Sequence, residues 1–217
     1  MITLSLDTTA QIASAAIVKN GKLLCEYTLN SGNTHSVTLL PMIKHMLETV
    51  NLTTSDIDLY AVSVGPGSFT GVRIGVSTVK GLAFAKKTPC VAVSSLEAMA
   101  ENLRGLNGVI CPVINARRSQ VYTAMLKSDN GEMTRLCEDT TMLISELEEK
   151  LKEYDNVWFT GDAYDLTSYM TSQATPLNLR NVNAAGVAYV GERIYRASED
   201  KTIFNDMVLQ PVYLKKT

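Results

Sequence analysis

Residues 61–86 read AVSVGPGSFTGVRIGVSTVKGLAFAK, and the rest of the chain is organised around this stretch. An apolar strand over 59–64 enters a Gly-Pro-Gly turn at 65–67, after which Ser68 or Thr70 can cap a helix. The predicted helix contains several glycines, although each interior glycine costs about 1 kcal/mol relative to alanine. These small residues therefore indicate that something packs unusually close to the helix backbone.

A glycine-rich turn from a strand to a helix has two common uses. It can expose backbone N–H groups at a helix N-terminus, where a phosphate binds, or it can admit a closely packed neighbour. The turn is not a P-loop, and the spacing of Gly65, Gly67 and Gly71 is not that of a dinucleotide fingerprint. We favour close packing, and phosphate binding stays open as the alternative.

The composition is typical of a globular protein with one large or two small domains. The chain has 217 residues, of which 46% are hydrophobic, and a net charge of −2, which argues against a strongly basic nucleic-acid surface. Its four cysteines are widely separated without a C-x-x-C motif, as expected for reduced, packed thiols. We find no signal-peptide pattern and no apolar run near the about 20 residues of a membrane span. We therefore expect a cytoplasmic protein without membrane contact.

The same order of predicted elements occurs twice along the chain. Strand, polar turn, strand, Asn-Gly hairpin, strand, helix, strand, glycine turn and helix fill the first half, and the order restarts at Val109. In this correspondence Asp7 matches Asn115, and the Asn-Gly pair at 20–21 matches that at 130–131. The duplication predicts two α/β lobes with mixed sheets, the topology of the actin, hexokinase and Hsp70 ATPase superfamily.

The duplication also suggests a division of the chain. We assign residues 1–104 to an N-terminal lobe and residues 105–204 to a C-terminal lobe. We expect the C-terminal tail, about 205–217, to pack back on the N-terminal lobe.

The residues needed for phosphate chemistry are incomplete. In an ATP-using protein of this architecture, two strand–strand turns normally carry an aspartate with a glycine close by. Here Asp7 is followed by Thr-Thr-Ala without a glycine, and the second turn has Asn115. A neutral amide cannot act as a general base or give Mg²⁺ a charged ligand. We therefore expect Asp7 to bond to its own turn, and the isolated chain to turn over no ATP.

Metal and nucleophile motifs are also missing from the sequence. His35 and His45 are ten residues apart, whereas a metal pair on one helix face needs three or four. H-E-x-x-H and G-x-S-x-G are absent. We therefore expect no catalytic residue, metal site or cofactor site.

Two helices are predicted to form one association surface. The helix over about 36–50 has two apolar stripes, which is wider than a surface helix needs. One stripe can face the core and the other a partner, with deep burial of both as the alternative. The small residues of the helix over about 70–86 would let that partner approach. The residues assigned to this interface are Leu39, Met42, Ile43, Met46, Gly71, Ile74, Gly75, Thr78, Gly81 and Leu82.

Stretches from both ends of the chain resemble one known family. They are ITLSLDTT at 2–9, His35-Ser36 followed by Leu39-Leu40-Pro41, GPGSFTGVRIG at 65–75, KGLA at 80–83, Asn115-Ala116-Arg117 with Val121-Tyr122, and PVYL at 211–214. The run GPGSFTG-x-RIG-x-S is highly specific, and the other pieces are individually weak. Together they resemble the bacterial TsaB family, also called YeaZ.

The resemblance implies the two-lobe fold and a role in making N6-threonylcarbamoyladenosine in tRNAs that read codons starting with A. It implies a non-catalytic subunit that binds and activates the related TsaD, which holds the metal and transfers the threonylcarbamoyl group from its adenylate. It also implies that an ATPase, TsaE, joins them, and that a homodimer forms through the surface used for TsaD. Transfer RNA would be contacted only indirectly, with Arg117, Arg118, Lys215 and Lys216 as minor helpers at most.

Two other functions stay open. An active phosphotransferase of the actin or hexokinase type is disfavoured by the incomplete turns. A peptidase acting on a partner protein is disfavoured because neither a nucleophile–base pair nor a zinc motif is visible.

Overall fold

The structure is a computed structural model, and it describes residues 1–32, 34–167 and 175–214. The first sheet contains β1 (Ile2–Asp7), β2 (Ala13–Lys19), β3 (Lys22–Leu29), β4 (Leu59–Ser63) and β5 (Cys90–Val93), in the order β3-β2-β1-β4-β5. The second sheet contains β6 (Gly108–Asn115), β7 (Gln120–Asp129), β8 (Glu132–Leu143) and β9 (Val157–Thr160), in the order β8-β7-β6-β9.

The helices are α1 (His35–Thr49), α2 (Phe69–Phe84), α3 (Ser95–Glu101), α4 (Ile144–Leu151), α5 (Tyr164–Thr167) and α6 (Ala184–Ala197), with 3-10 turns at Thr54–Asp56 and Leu177–Leu179. In each sheet the first three strands pair antiparallel and the next strand pairs parallel with the first. The repeated pairing confirms the predicted duplicated two-lobe α/β fold.

Both Asn-Gly hairpins form where the sequence predicts them. Asn20 and Gly21 have φ of 52° and 78°, and Asn130 and Gly131 have φ of 50° and 83°. Two successive left-handed residues match the right-handed twist of the paired strands, and asparagine and glycine adopt that conformation most readily.

The start of α2 is set by Ser68, one of its two predicted caps. The Ser68 hydroxyl accepts a hydrogen bond from the Gly71 backbone N–H at 3.3 Å. This bond satisfies one of the N–H groups that an α-helix leaves free at its first turn.

The helices and sheets stack in layers. Helices α1 and α2 cover one face of the first sheet, and α6 covers its other face. Helix α3 packs between α6 and the second sheet, whose outer face is covered by α4. Residues of α3, β6 and β7 therefore share one apolar cluster.

Two segments contact the first sheet from the end of the chain. Val187 and Val190 of α6 pack against Leu59 and Ala61 of β4, although α6 lies within the range assigned to the second lobe. In the tail, the Val212 backbone N–H donates to the Val64 carbonyl at 2.8 Å. The division of the chain into lobes stays a prediction, and residues 215–217 of the tail lie outside the described residues.

A charge network joins α3 to the second sheet. Arg135 of β8 donates to Asp139 at 2.6 Å and to Glu97 of α3 at 2.9 Å. The Ser94 hydroxyl donates to the same Asp139 at 2.5 Å. Arg135, Glu97 and Asp139 are between 20% and 26% exposed, so the network links α3 to β8 through a partly buried contact.

Candidate association surface

The first turn, after β1, is filled by bonds within the chain. Asp7 is fully buried and accepts hydrogen bonds from the Thr9 backbone N–H and hydroxyl, both at 2.8 Å, and from the Ser63 hydroxyl at 2.5 Å. Burial raises the pKa of the Asp7 carboxyl above 3.8, although these three donors oppose the change. Each Asp7 oxygen is therefore already bonded within the protein, as the sequence predicts.

The glycine-rich helix packs directly on this first turn. A Cβ atom built on Gly71 would lie 1.9 Å from the Thr8 carbonyl oxygen, and one on Gly75 would lie 2.6 Å from the Thr8 hydroxyl. That hydroxyl donates to the Gly71 carbonyl at 2.7 Å. The close packing inferred for α2 is thus a contact within the chain. Thr8 occupies the space beside Gly71 and Gly75, and their assignment to a partner interface stays a prediction.

The second turn, after β6, carries its own set of bonds. The Asn115 side chain accepts from the Arg117 backbone N–H, and the Asn115 N–H donates to Asp162, both at 2.8 Å. Arg117 and Arg118 are exposed and both have positive φ. They form a solvated tip, whereas Lys215 and Lys216 lie outside the described residues.

Apolar side chains fill the space between the two lobes. Ala10 and Ile12 of the first turn pack against the cluster that contains Leu96 of α3 and Ile114 of β6. The turn after β1, which would hold a phosphate in an ATP-using protein of this fold, therefore packs against that apolar cluster.

Four α1 residues assigned to the interface are not on the surface. Leu39, Met42, Ile43 and Met46 are at most 8% exposed and belong to the core of the first lobe. Their burial leaves little side-chain surface for a partner, and their assignment to a partner interface stays a prediction. The predicted second stripe is buried because α1 packs on β2 and β3 and also touches α2, so it needs a wide apolar face.

Two of the remaining four predicted residues line an open groove between α1 and α2. The groove has a volume of about 410 Å³, and Ile74 and Thr78 line it. Leu82, which packs partly against the core, and exposed Gly81 lie further along α2. Of the exposed apolar side chains of α1, Leu40 lines the same groove, whereas Val37 lines a separate pocket between α1 and β3.

Gly81 differs from the other two glycines of α2. A Cβ atom built on Gly81 would meet nothing within 4 Å. Its backbone is helical, so no left-handed conformation requires glycine there. The described part of the chain thus gives no reason for a residue that costs about 1 kcal/mol in a helix interior.

A cluster on the lining of the groove is not predicted from the sequence. The guanidinium carbon of Arg73 lies 3.8 Å from the Phe69 ring centroid, and Arg73 Nε donates to the Tyr213 hydroxyl at 2.8 Å. The Phe69 and Tyr213 ring centroids are 5.0 Å apart. The spacing of Phe69 and Arg73 on one helix face is visible in the sequence, but Tyr213 joins them only through the fold.

The two histidines have unrelated surroundings. A ring nitrogen of His35 lies 2.9 Å from the Ala10 carbonyl oxygen, and His45 stacks beside Tyr27. Across residues 1–32, 34–167 and 175–214, no three His, Cys, Asp or Glu side chains cluster as a metal site. Within the same ranges no helix is long and apolar enough to cross a membrane.

Comparison with families and curated sequences points to one biosynthetic system. The family model of the tRNA N6-adenosine threonylcarbamoyltransferase, TsaD, matches residues 23–199. The chain is 36% identical over 171 residues to the tRNA threonylcarbamoyladenosine biosynthesis protein TsaB of Bacillus subtilis. That match covers 78% of this chain and 75% of the Bacillus protein.

Comparison with solved structures agrees with the fold. YeaZ from Pseudomonas aeruginosa superposes with a TM-score of 0.80 at 26% identity, covering 98% of this chain and 99% of that one. The activator of 2-hydroxyisocaproyl-CoA dehydratase from Clostridium difficile, solved with bound ADPNP, superposes with a TM-score of 0.50 at 13% identity. That match covers 92% of this chain and 99% of the activator, and at this identity it concerns the fold alone.

Proposed function

Because this chain belongs to the TsaB family, we propose that it takes part in the biosynthesis of N6-threonylcarbamoyladenosine in tRNAs that read codons starting with A. Within that pathway we propose a non-catalytic subunit that binds a TsaD-type transferase and activates it. The cytoplasm is its proposed location, and tRNA is contacted mainly through the partner. A TsaE-type ATPase and a second copy of this chain are its further proposed partners.

The state of the two turns supports a non-catalytic role. Asp7 already accepts three hydrogen bonds from its own chain, and Asn115 stands where the second acid of a phosphotransferase would be. Ala10 and Ile12 pack into the core between the lobes. A phosphate at the first turn would have to displace the partly buried Ala10 and Ile12 side chains from this packing.

The proposed interface rests mainly on the exposed position of Gly81 within α2. An exposed glycine within a helix destabilises the isolated chain, so its presence is best explained by a requirement outside the chain. A glycine lets another backbone approach closely, as a helix of the partner would. The interface that we propose consists of Leu40, Ile74, Thr78, Gly81 and Leu82.

Binding at this groove activates the transferase only if it favours the active conformation over the resting one. Coupling between a partner and an active site is typically about 1–3 kcal/mol, or roughly 5- to 150-fold in an equilibrium constant. No atom of this chain needs to touch the substrate for such coupling. The proposed role therefore requires an intact surface and no catalytic side chain.

Reconstitution with purified components tests this function. The host's own transferase, threonylcarbamoyl adenylate and unmodified tRNA are combined with and without this chain, and modified nucleoside is measured by mass spectrometry. We expect the chain to increase the rate and Asp7→Asn to retain the increase. Equal rates with and without the chain would show that it is not an activator.

A pair of glycine variants tests the surface. Gly81→Leu should fold normally but lose both transferase binding and activation, because its side chain occupies the space reserved for the partner. Gly105→Leu is the matched control, since Gly105 is also exposed with nothing within 4 Å of a built Cβ. If Gly81→Leu binds and activates as well as Gly105→Leu does, the interface lies elsewhere.

A separate assay addresses the phosphotransferase alternative. The pure chain should show no steady ATP turnover above a no-protein blank. Turnover that Asp7→Asn abolishes would overturn the non-catalytic role.

A further inference from the structure

Arg73 is held in a defined position at the mouth of the α1–α2 groove. Its guanidinium group stacks on the Phe69 ring at 3.8 Å, and its Nε donates to the Tyr213 hydroxyl at 2.8 Å. These contacts use one face and one of the five N–H donors of the group. The two terminal nitrogens, which bind a carboxylate side by side, are left for another acceptor.

Among residues 1–32, 34–167 and 175–214, no acid pairs with Arg73. The sequence has no Asp or Glu between Asp58 and Glu97, a range that includes all of α2. The residues that line the groove include no acid either. Among the described residues Arg73 has no carboxylate partner, whereas Arg104, Arg135, Arg193 and Arg196 each have at least one.

We propose that Arg73 receives a carboxylate from the partner that occupies the α1–α2 groove, so that this surface selects an acid-bearing transferase over a second copy of the chain. The inference rests on the proposed function, since it assigns the chemistry of the same interface. Planar, bidentate pairing with a carboxylate is the contact for which a pre-positioned guanidinium is best suited. Arginine and aromatic side chains are also the residues that most often dominate binding energy at interfaces.

A second copy offers no equivalent carboxylate. A two-fold dimer through this face brings the same patch against itself, so each Arg73 meets an acid-free surface. Glu48 is the one acid of the two helices, and it lies 3.8 Å from Lys44 on α1. A positively charged face repels its own copy and attracts a negatively charged partner.

Binding constants of charge variants test this selectivity. The host's purified transferase is titrated with the wild-type chain and with Arg73→Gln, and self-association of both is measured by analytical ultracentrifugation. We expect Arg73→Gln to weaken transferase binding at least about tenfold, as for other interfacial charge pairs. Its self-association should stay the same or strengthen, since the substitution removes a like-charge repulsion and no paired charge. Lys127→Gln, which removes one exposed charge from the second lobe, should change neither constant.

Charge reversal gives a sharper result. Arg73→Glu should abolish transferase binding, and one acid-to-lysine substitution on the facing surface of the transferase should restore it. Wild-type binding should also weaken more than that of Arg73→Gln when salt rises from about 50 to about 500 mM, because ions screen exposed charges. If Arg73 only fixes the tail to α2 through Tyr213, neither the rescue nor the difference in salt dependence will be observed.

Three outcomes would overturn the proposal. One is unchanged transferase binding by Arg73→Gln while Gly81→Leu abolishes it, which leaves the proposed function intact. Another is equal weakening of transferase binding and self-association by Arg73→Gln. The third is weakened self-association in both Glu48→Gln and Arg73→Gln, which would assign the carboxylate to a second copy. If no groove variant, Gly81→Leu included, changes transferase binding, the interface itself is rejected.

Discussion

Replacing the three glycines of α2 by alanine, one at a time, should change the free energy of unfolding in opposite directions. Alanine at Gly71 or Gly75 should destabilise the chain, and alanine at Gly81 should stabilise it. The expected signs follow from the neighbours of each glycine, because the three residues share one helix and the substitution is the same.

At Gly71 the new methyl carbon would lie 1.9 Å from the Thr8 carbonyl oxygen, a backbone atom that cannot rotate away. At Gly75 it would lie 2.6 Å from the Thr8 hydroxyl, whose 2.7 Å bond to the Gly71 carbonyl would have to break. Overpacking costs about 1–3 kcal/mol, and a buried hydroxyl without a partner costs a similar amount. The higher helix propensity of alanine offsets about 1 kcal/mol of this loss of stability. We therefore expect a net loss of stability at both positions, larger at Gly71.

At Gly81 a methyl group meets nothing within 4 Å, so the helix preference acts alone. The expected gain in stability is about 0.5–1 kcal/mol. The same variant should bind the transferase more weakly than wild type, since the methyl group projects into the proposed interface. Greater stability together with weaker association would distinguish a partner contact from a structural glycine.

Urea unfolding of the isolated chain, followed by circular dichroism, measures all three effects. The midpoint should fall for the Gly71 and Gly75 variants and rise for the Gly81 variant, with an unchanged slope. A stabilising effect at Gly71, or a destabilising effect at Gly81 equal to that at Gly71, would show that Thr8 does not limit the space beside α2 in this way.

Three further predictions concern buried polar groups. Asp7→Asn should be at least as stable as wild type at neutral pH, because the folded-state pKa of Asp7 lies above 3.8 and its ionised form is disfavoured; unfolding as a function of pH should show this advantage shrinking as the pH falls towards 3.8, and a growing advantage would contradict it. Arg135→Gln should cost about 1–3 kcal/mol in chemical unfolding because it leaves partly buried carboxylates unpaired, whereas the exposed-pair variant Lys152→Gln should leave the midpoint unchanged. Burial raises the pKa of both Cys90 and Cys111 to about 12, so neither should react with iodoacetamide at pH 8 until the chain unfolds; mass spectrometry of labelled peptides would detect any early reaction.

The sequence by itself determines the duplicated order of elements and hence the two-lobe fold. Its signals are local: the Asn-Gly pairs at 20–21 and 130–131 require left-handed turns, and Ser68 precedes a helix that it can cap. Each of these signals acts within a few residues along the chain. Their structural meaning therefore does not depend on which distant segment packs nearby. The predicted role of Asp7 belongs with them, since two of its bonds go to Thr9, two residues away.

The association surface depends on the tertiary structure, because burial and close approach are set by residues that are distant in the sequence. Periodicity shows which side of α1 is apolar, but only its packing on β2, β3 and α2 decides that Leu39 and Met46 lie in the core. Three glycines of α2 look alike in the sequence, yet Thr8 fills the space beside two of them and nothing lies beside Gly81. Tyr213 reaches Arg73 across 140 positions of the chain. A pattern within a short stretch of sequence does not reveal such contacts, because each joins segments that are distant in the chain and meet only in the folded protein.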